Sequence, residues 1–176
     1  MTQLLPGNSL GFLLTDVARL YRNETEKAIM DAGVHLTPGE IRALAHAARY
    51  GGSRQAALAE RMGVEPMTLS AYLDRLEARG LIQRNVDPTD RRAKVITTTE
   101  QADHVFDDVR PVAIEVFDRM ASGIDEEALK TTLKVLTQIR GNLTNDPVLK
   151  GDERARTEIR MEAEDFATPE RLRMGA

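Results

Sequence analysis

Between Gln55 and Leu73 the chain places a small residue, Ala59, a glycine, Gly63, and five apolar residues, Leu58, Met62, Val64, Leu69 and Tyr72, in one short window. Two helices meeting at a tight corner need a small residue where they touch. They also need a turn residue that tolerates positive φ, and apolar side chains that close the corner. All three requirements are met here, so the window predicts a helix-turn-helix, a motif whose second helix fits the major groove of DNA. That second helix is expected from Pro66 to Gly80. Leu69, Leu73 and Leu76 would face inward, leaving Met67, Thr68, Ser70, Ala71, Asp74, Arg75 and Ala78 outward. Thr68 and Ser70 are short donors and acceptors near its start, where base edges are reached. Met67 and Ala71 suit a thymine methyl, and Arg75 suits a guanine or a phosphate.

A hairpin is predicted immediately downstream. Leu81–Asn85 and Ala93–Thr97 read as short strands around Val86-Asp87-Pro88-Thr89-Asp90-Arg91-Arg92, where Asp-Pro and Thr-Asp favour a turn. Arg91 and Arg92 at an exposed tip suit the minor groove, where negative potential is concentrated. Asp90 would repel a phosphate, so its expected role is to hold an arginine in one rotamer. Arg54, Arg61 and Arg84 are expected to contact phosphates.

Leu76-Glu77-Ala78-Arg79-Gly80-Leu81-Ile82-Gln83-Arg84, Asp87-Pro88-Thr89-Asp90-Arg91-Arg92-Ala93-Lys94 and Thr99-Glu100-Gln101-Ala102 together resemble the MarR family of bacterial transcriptional regulators, in its SlyA-like form. The resemblance spans about residues 10–145. It departs at Thr98, where the family usually has leucine, and in the C-terminal extension. It implies a dimer of winged helices, released from DNA by a small aromatic or amphipathic acid. It further implies that Arg92 enters the minor groove with Asp90 orienting it. It puts the effector pocket between the first, second and fifth helices, where Phe12, Leu13, Tyr21, His46, Arg49 and Phe106 stand. The apolar members would enclose a ring, and His46 or Arg49 would pair with its carboxylate or phenolate.

The rest of the chain reads as helices. Asn8-Ser9 can cap a first helix running to about Ala32. Thr37-Pro38-Gly39-Glu40 is a capping box with proline at the first helical position. Ile41, Leu44, Ala45 and Ala48 stripe the second helix, Tyr50-Gly51-Gly52 ends it, and Ser53 can open the third. Thr99 can cap a fifth helix, with Pro111 predicting a kink or break near Val109. Asp125 can cap a sixth with Leu129, Leu133, Leu136, Ile139 and Leu143 along one side. The stripes on the first, fifth and sixth helices are more apolar than exposed helices need, and the resemblance makes them a dimer interface. The expected organisation is a dimerisation helix over 1–34, a winged helix-turn-helix over 35–98, dimerisation helices over 99–146 and a charged, partly ordered tail over 147–176, with a transient helix near 152–166. The fold class is mainly α with a small β-hairpin wing.

Composition limits the alternatives. A chain of 176 residues can bury one sizeable core. With no cysteine there is neither a disulfide framework nor a thiolate nucleophile. The net charge is −4, yet residues 49–94 hold nine Lys/Arg and six Asp/Glu, a basic segment on an acidic body. His35, His46 and His104 lack metal-ligand spacing, and the neighbouring carboxylates Asp107-Asp108 and Glu126-Glu127 point apart on helices. No phosphate loop is present. No catalytic residue, cofactor or metal is expected. No stretch is long and apolar enough to be a membrane span, and a cytoplasmic location is expected. The rival function is a winged-helix protein-interaction module, which would not need Arg91 and Arg92, or Thr68 and Ser70.

Overall fold

The structure, a computed structural model, describes residues 9–87 and 90–150. These form α1 (Leu10–Asp31), α2 (Pro38–Arg49), β1 (Ser53–Arg54), α3 (Gln55–Met62), α4 (Pro66–Ala78), β2 (Ile82–Val86), β3 (Lys94–Thr98), α5 (Glu100–Ala121) and α6 (Glu126–Leu143). The fold is mainly α with a small antiparallel sheet in the order β1-β3-β2. The expectations for Asn8, for Pro88 and Thr89 at the wing tip, and for a helix near 152–166 lie outside the described residues.

The local signals explain most boundaries. Thr37 accepts from the Glu40 N–H and the Glu40 carboxylate accepts from the Thr37 N–H, so both halves of the capping box form. Gly63 ends α3 at φ 63°, in the left-handed region that only glycine enters cheaply. Asp125 caps α6 by accepting from the Ala128 N–H at 3.0 Å. Other expectations need correction. Ser53 does not open α3: it is extended and pairs with Ile96, and α3 starts two residues later. Thr99 Oγ1 donates to the Gly80 carbonyl at 2.6 Å, tying the end of the sheet to the end of α4. α5 runs unbroken through Pro111, and α4 ends at Ala78, two residues before Gly80.

The chain divides into two compact units at Val116–Phe117, inside α5. The core of the first joins α2, α3, α4, β2 and β3 through the fully buried Leu44, Leu58, Leu69, Leu73, Leu76, Ile82 and Ile96. Each such side chain contributes about 1.5–3 kcal/mol of burial. Ala102 of α5 is part of this core, and Val105, Phe106, Val109 and Val112 pack against it. α1 adds Ile29 alone; its Leu10, Phe12, Leu13, Val17, Leu20 and Tyr21 are 42–58% exposed. In the second unit α6 buries no residue, and Leu133, Val135, Leu136 and Leu143 are exposed.

Candidate nucleic-acid interface

α3 and α4 form the helix-turn-helix foreseen from sequence. Ala59 is buried where the helices meet, Leu58 and Leu69 close the corner, and Met62, Val64 and Tyr72 pack on the same core. Burying Leu69, Leu73 and Leu76 turns the opposite side of α4 to solvent. Met67 is 86% exposed there. Thr68 and Ala71 are exposed and Ser70 is half-buried. These four residues lie in the first two turns.

Arg75 lies further along α4 and is not a lone cation. Its Nε donates to Glu40 Oε1, and its guanidinium carbon lies 5.5 Å from the centroid of the Tyr72 ring. Arg79 donates to the His35 carbonyl. The start of α2 is thus strapped to the second half of α4. Glu40 is only 3% exposed. Burial alone would raise its carboxyl pKa, but hydrogen bonds from the Thr37 N–H, Arg75 and Thr37, with the Arg75 charge, outweigh this and hold it below the usual value.

The wing is anchored from β1. Arg54 Nε donates to Asp87 Oδ2 at 2.7 Å, and Arg54 Nη2 lies 3.7 Å from Asp90 Oδ2. The Asp87 side chain is nearly buried, so this pair fixes the root of the hairpin. Asp90 Oδ1 accepts the Arg92 backbone N–H at 3.0 Å. Asp90 therefore holds the Arg92 main chain, while its charge faces Arg54 rather than the Arg92 guanidinium. Arg91 and Arg92 are exposed, and among the described residues neither guanidinium meets a carboxylate.

The three arginines expected on phosphates have other partners. Arg54 is the wing anchor. Arg61 donates to Ser53 Oγ at 2.7 Å and lies 4.8 Å from the Tyr50 ring centroid. Arg84 donates to Asp74 Oδ1 at 2.6 Å and to Glu77. Strand alternation puts Arg84 on the face of buried Ile82, toward α4, and its side chain is only 14% exposed. The capping box made Glu40 visible in the sequence, but its bond to Arg75 spans 35 residues and has no local signature. Asp87 had none either.

The six residues expected to form an effector pocket do not all meet. His46 and Arg49 gather at Tyr50: the His46 and Tyr50 ring centroids are 5.7 Å apart, and the Arg49 guanidinium carbon is 5.6 Å from the Tyr50 ring. His46 Nδ1 and Arg42 Nε are buried without a hydrogen-bond partner among the described residues. Burial, then the charges of Arg42, Arg49 and Arg61, lower the His46 pKa. Phe106 is half-buried against the core. No ring contact or hydrogen bond among the described residues joins Phe12, Leu13 or Tyr21 to this cluster. Nor do the described residues hold a group of three His, Asp or Glu placed for a metal ion, or a helix long and apolar enough to cross a membrane.

This arrangement recurs in known proteins. The model of the MarR family matches residues 36–94, from the buried Leu36 to the first residue of β3. The transcriptional regulator PA3341 is 33% identical, with a TM-score of 0.65 over 77% of this chain and 98% of that one. A MarR-family regulator from Rhodococcus sp. RHA1 is 28% identical, with a TM-score of 0.65 over 78% and 96%. CouR from Rhodococcus jostii RHA1, solved with p-coumaroyl-CoA bound, is 29% identical, with a TM-score of 0.62 over 78% and 95%. The family model covers the helix-turn-helix and the wing up to the start of β3, the solved structures match more than three quarters of the chain, and the chain belongs to the MarR family of transcriptional regulators.

Proposed function

We propose that this protein is a sequence-specific double-stranded DNA-binding regulator, a repressor that sits on a pseudo-palindromic operator as a homodimer and leaves it when a small molecule binds. The observation that supports this best is the pairing of an exposed face at the start of α4 with wing arginines that no carboxylate among the described residues neutralises. Met67, Thr68, Ser70 and Ala71 read base edges in the major groove, and Arg92 enters the minor groove, with Arg91 on phosphate. Arg61 keeps a phosphate role. Arg54 and Arg84 touch phosphate only through donors left over from their carboxylate bonds.

The effector is a small aromatic or amphipathic acid held among α1, α2 and α5, with its anionic group on His46 or Arg49. The aromatic acyl group of the thioester bound by CouR supports the aromatic part of that reading. It acts by population shift: a ligand lowers DNA affinity only if it favours a wing spacing that misfits the operator.

The test is capture of duplexes from fragmented genomic DNA by the pure protein, followed by titration of the enriched sequence. Arg92→Ala should weaken that titration about tenfold or more at unchanged thermal stability, and an acid effector should release the duplex while raising the melting temperature. Failure to enrich any duplex at low salt, with a protein co-purifying instead, would point to an interaction module.

A further inference from the structure

We propose that Glu40, at the start of α2 and away from the DNA-reading face, is the positioning residue for Arg75, and that Arg75 so held is a phosphate contact that sets the register of α4 on the duplex. This rests on the DNA-binding reading above. Three features of the first unit converge on it. Glu40 is a carboxylate on 3%-exposed ground, where an unpaired charge is costly, and both its oxygens are committed: Oε2 to the Thr37 N–H at 2.8 Å and Oε1 to Arg75 Nε. The bond uses the inner nitrogen of the guanidinium. Four of the five N–H donors, all on the two terminal nitrogens, remain, and the Arg75 side chain is 52% exposed. The fork is thus gripped at its root and open at its tip, as a fixed phosphate contact requires.

Tyr72 supplies the second constraint. Its ring lies beneath the guanidinium and rests on Gly39, where a Cβ would stand 2.5 Å from Tyr72 Cζ. The glycine that precedes Glu40 makes room for the ring that supports Arg75. Capping box, ring and arginine form one assembly, and the two terminal nitrogens of Arg75 are its cationic outward element. Arg75 lies eight residues beyond Met67, about 12 Å along the helix, away from the base-reading turns and suited to the backbone at the groove's edge.

The experiment is a double-mutant cycle read on DNA, using the full chain and a duplex that the wild-type protein selects from a randomised pool. Glu40→Gln keeps the shape but removes the charge that pins Nε. It should weaken binding about fivefold beside Arg75 and less than twofold in the Arg75→Ala background, and Arg75→Ala should lower the slope of log affinity against log salt by about two, one for each subunit of the dimer. Arg75→Lys is the second variant, usable even if Glu40→Gln fails to fold. Its single ammonium is drawn onto Glu40, so its salt slope should match that of Arg75→Ala. Equal losses in both backgrounds, wild-type affinity in Glu40→Gln, or a wild-type salt slope in Arg75→Lys would overturn the assignment. Failure of the wild-type protein to select any duplex would instead overturn the DNA-binding reading itself.

Discussion

At the residue scale, Glu40 and His46 both have lowered pKa values and reach that state by different routes. Glu40 is charged and over-bonded, whereas His46 is held neutral by burial and by the surrounding Arg42, Arg49 and Arg61. The linkage sign is nevertheless the same. In each case the unfolded chain takes up a proton at a pH where the folded chain resists it, so acid destabilises the fold. The His46 contribution is complete above its ordinary value of 6.5 and is lost as the pH falls from there through its lowered folded value. The Glu40 contribution is complete above 4.5 and is lost below it in the same manner. Thermal melts across pH should therefore show a first decline beginning near 6.5, and His46→Gln should remove that decline while leaving the one below 4.5. A His46→Gln profile that still falls between 6.5 and 5.5 as the wild type does would assign the upper step elsewhere. Binding of an anion at His46 would reverse the sign locally, since a carboxylate favours the imidazolium.

At the scale of elements, two glycines separate backbone need from packing need. Gly63 sits at φ 63° in the helix-turn-helix corner with open space where a Cβ would go. Gly63→Ala should therefore cost about 1–2 kcal/mol through backbone conformation alone, and leave the DNA affinity of the folded protein as it was. Gly39 is an ordinary helical residue whose replacement by alanine gains about 1 kcal/mol in propensity, but the new Cβ forces the Tyr72 ring away from its place under Arg75. Gly39→Ala should thus weaken duplex binding more than it lowers the melting temperature, the reverse of Gly63→Ala. Titration and melting of the two variants side by side check this, and equal ranking in both measurements would remove Tyr72 from the interface. The same contrast marks what was legible in the sequence. Gly63 and the Thr37–Glu40 box announce themselves because their partners lie within a few residues. The two-residue β1 has no period to read, so in sequence Ser53 resembles a helix cap, whereas in the fold it pairs with Ile96. Arg54 and Arg84 stand in the sequence as cations without a local partner, because the carboxylates that neutralise them lie 33 residues away, in the case of Asp87, and across a strand–helix packing, in the case of Asp74 and Glu77. Sequence patterns report periodicity and local caps, whereas ion pairing depends on which faces the tertiary fold turns together.

At the scale of the whole molecule, α1 and α6 each expose apolar residues that the described residues of their own units do not cover. Leu10, Phe12, Leu13, Val17 and Leu20 are all about half exposed on one helix, and Leu133, Val135, Leu136 and Leu143 are exposed on the other. A patch of that kind is rare on a monomer and is expected where a second copy packs. A two-fold dimer would present two α4 helices and two wings, so the operator should be an inverted repeat with half-site centres about 10–11 base pairs apart. Leu136 is the residue on which to test this. It is 38% exposed on a helix with no fully buried residue among those described, so an aspartate there should disturb the packing of the single chain less than it disturbs an interface. In Leu136→Asp, sedimentation should shift to a monomer, the protein should remain helical, and affinity for the full operator should fall at least about 100-fold because the second half-site no longer adds to the first. The wild-type melting temperature should rise with protein concentration, and that of the variant should not. A wild-type protein that sediments as a monomer while binding a single half-site tightly would refute the dimer, and with it the inverted repeat.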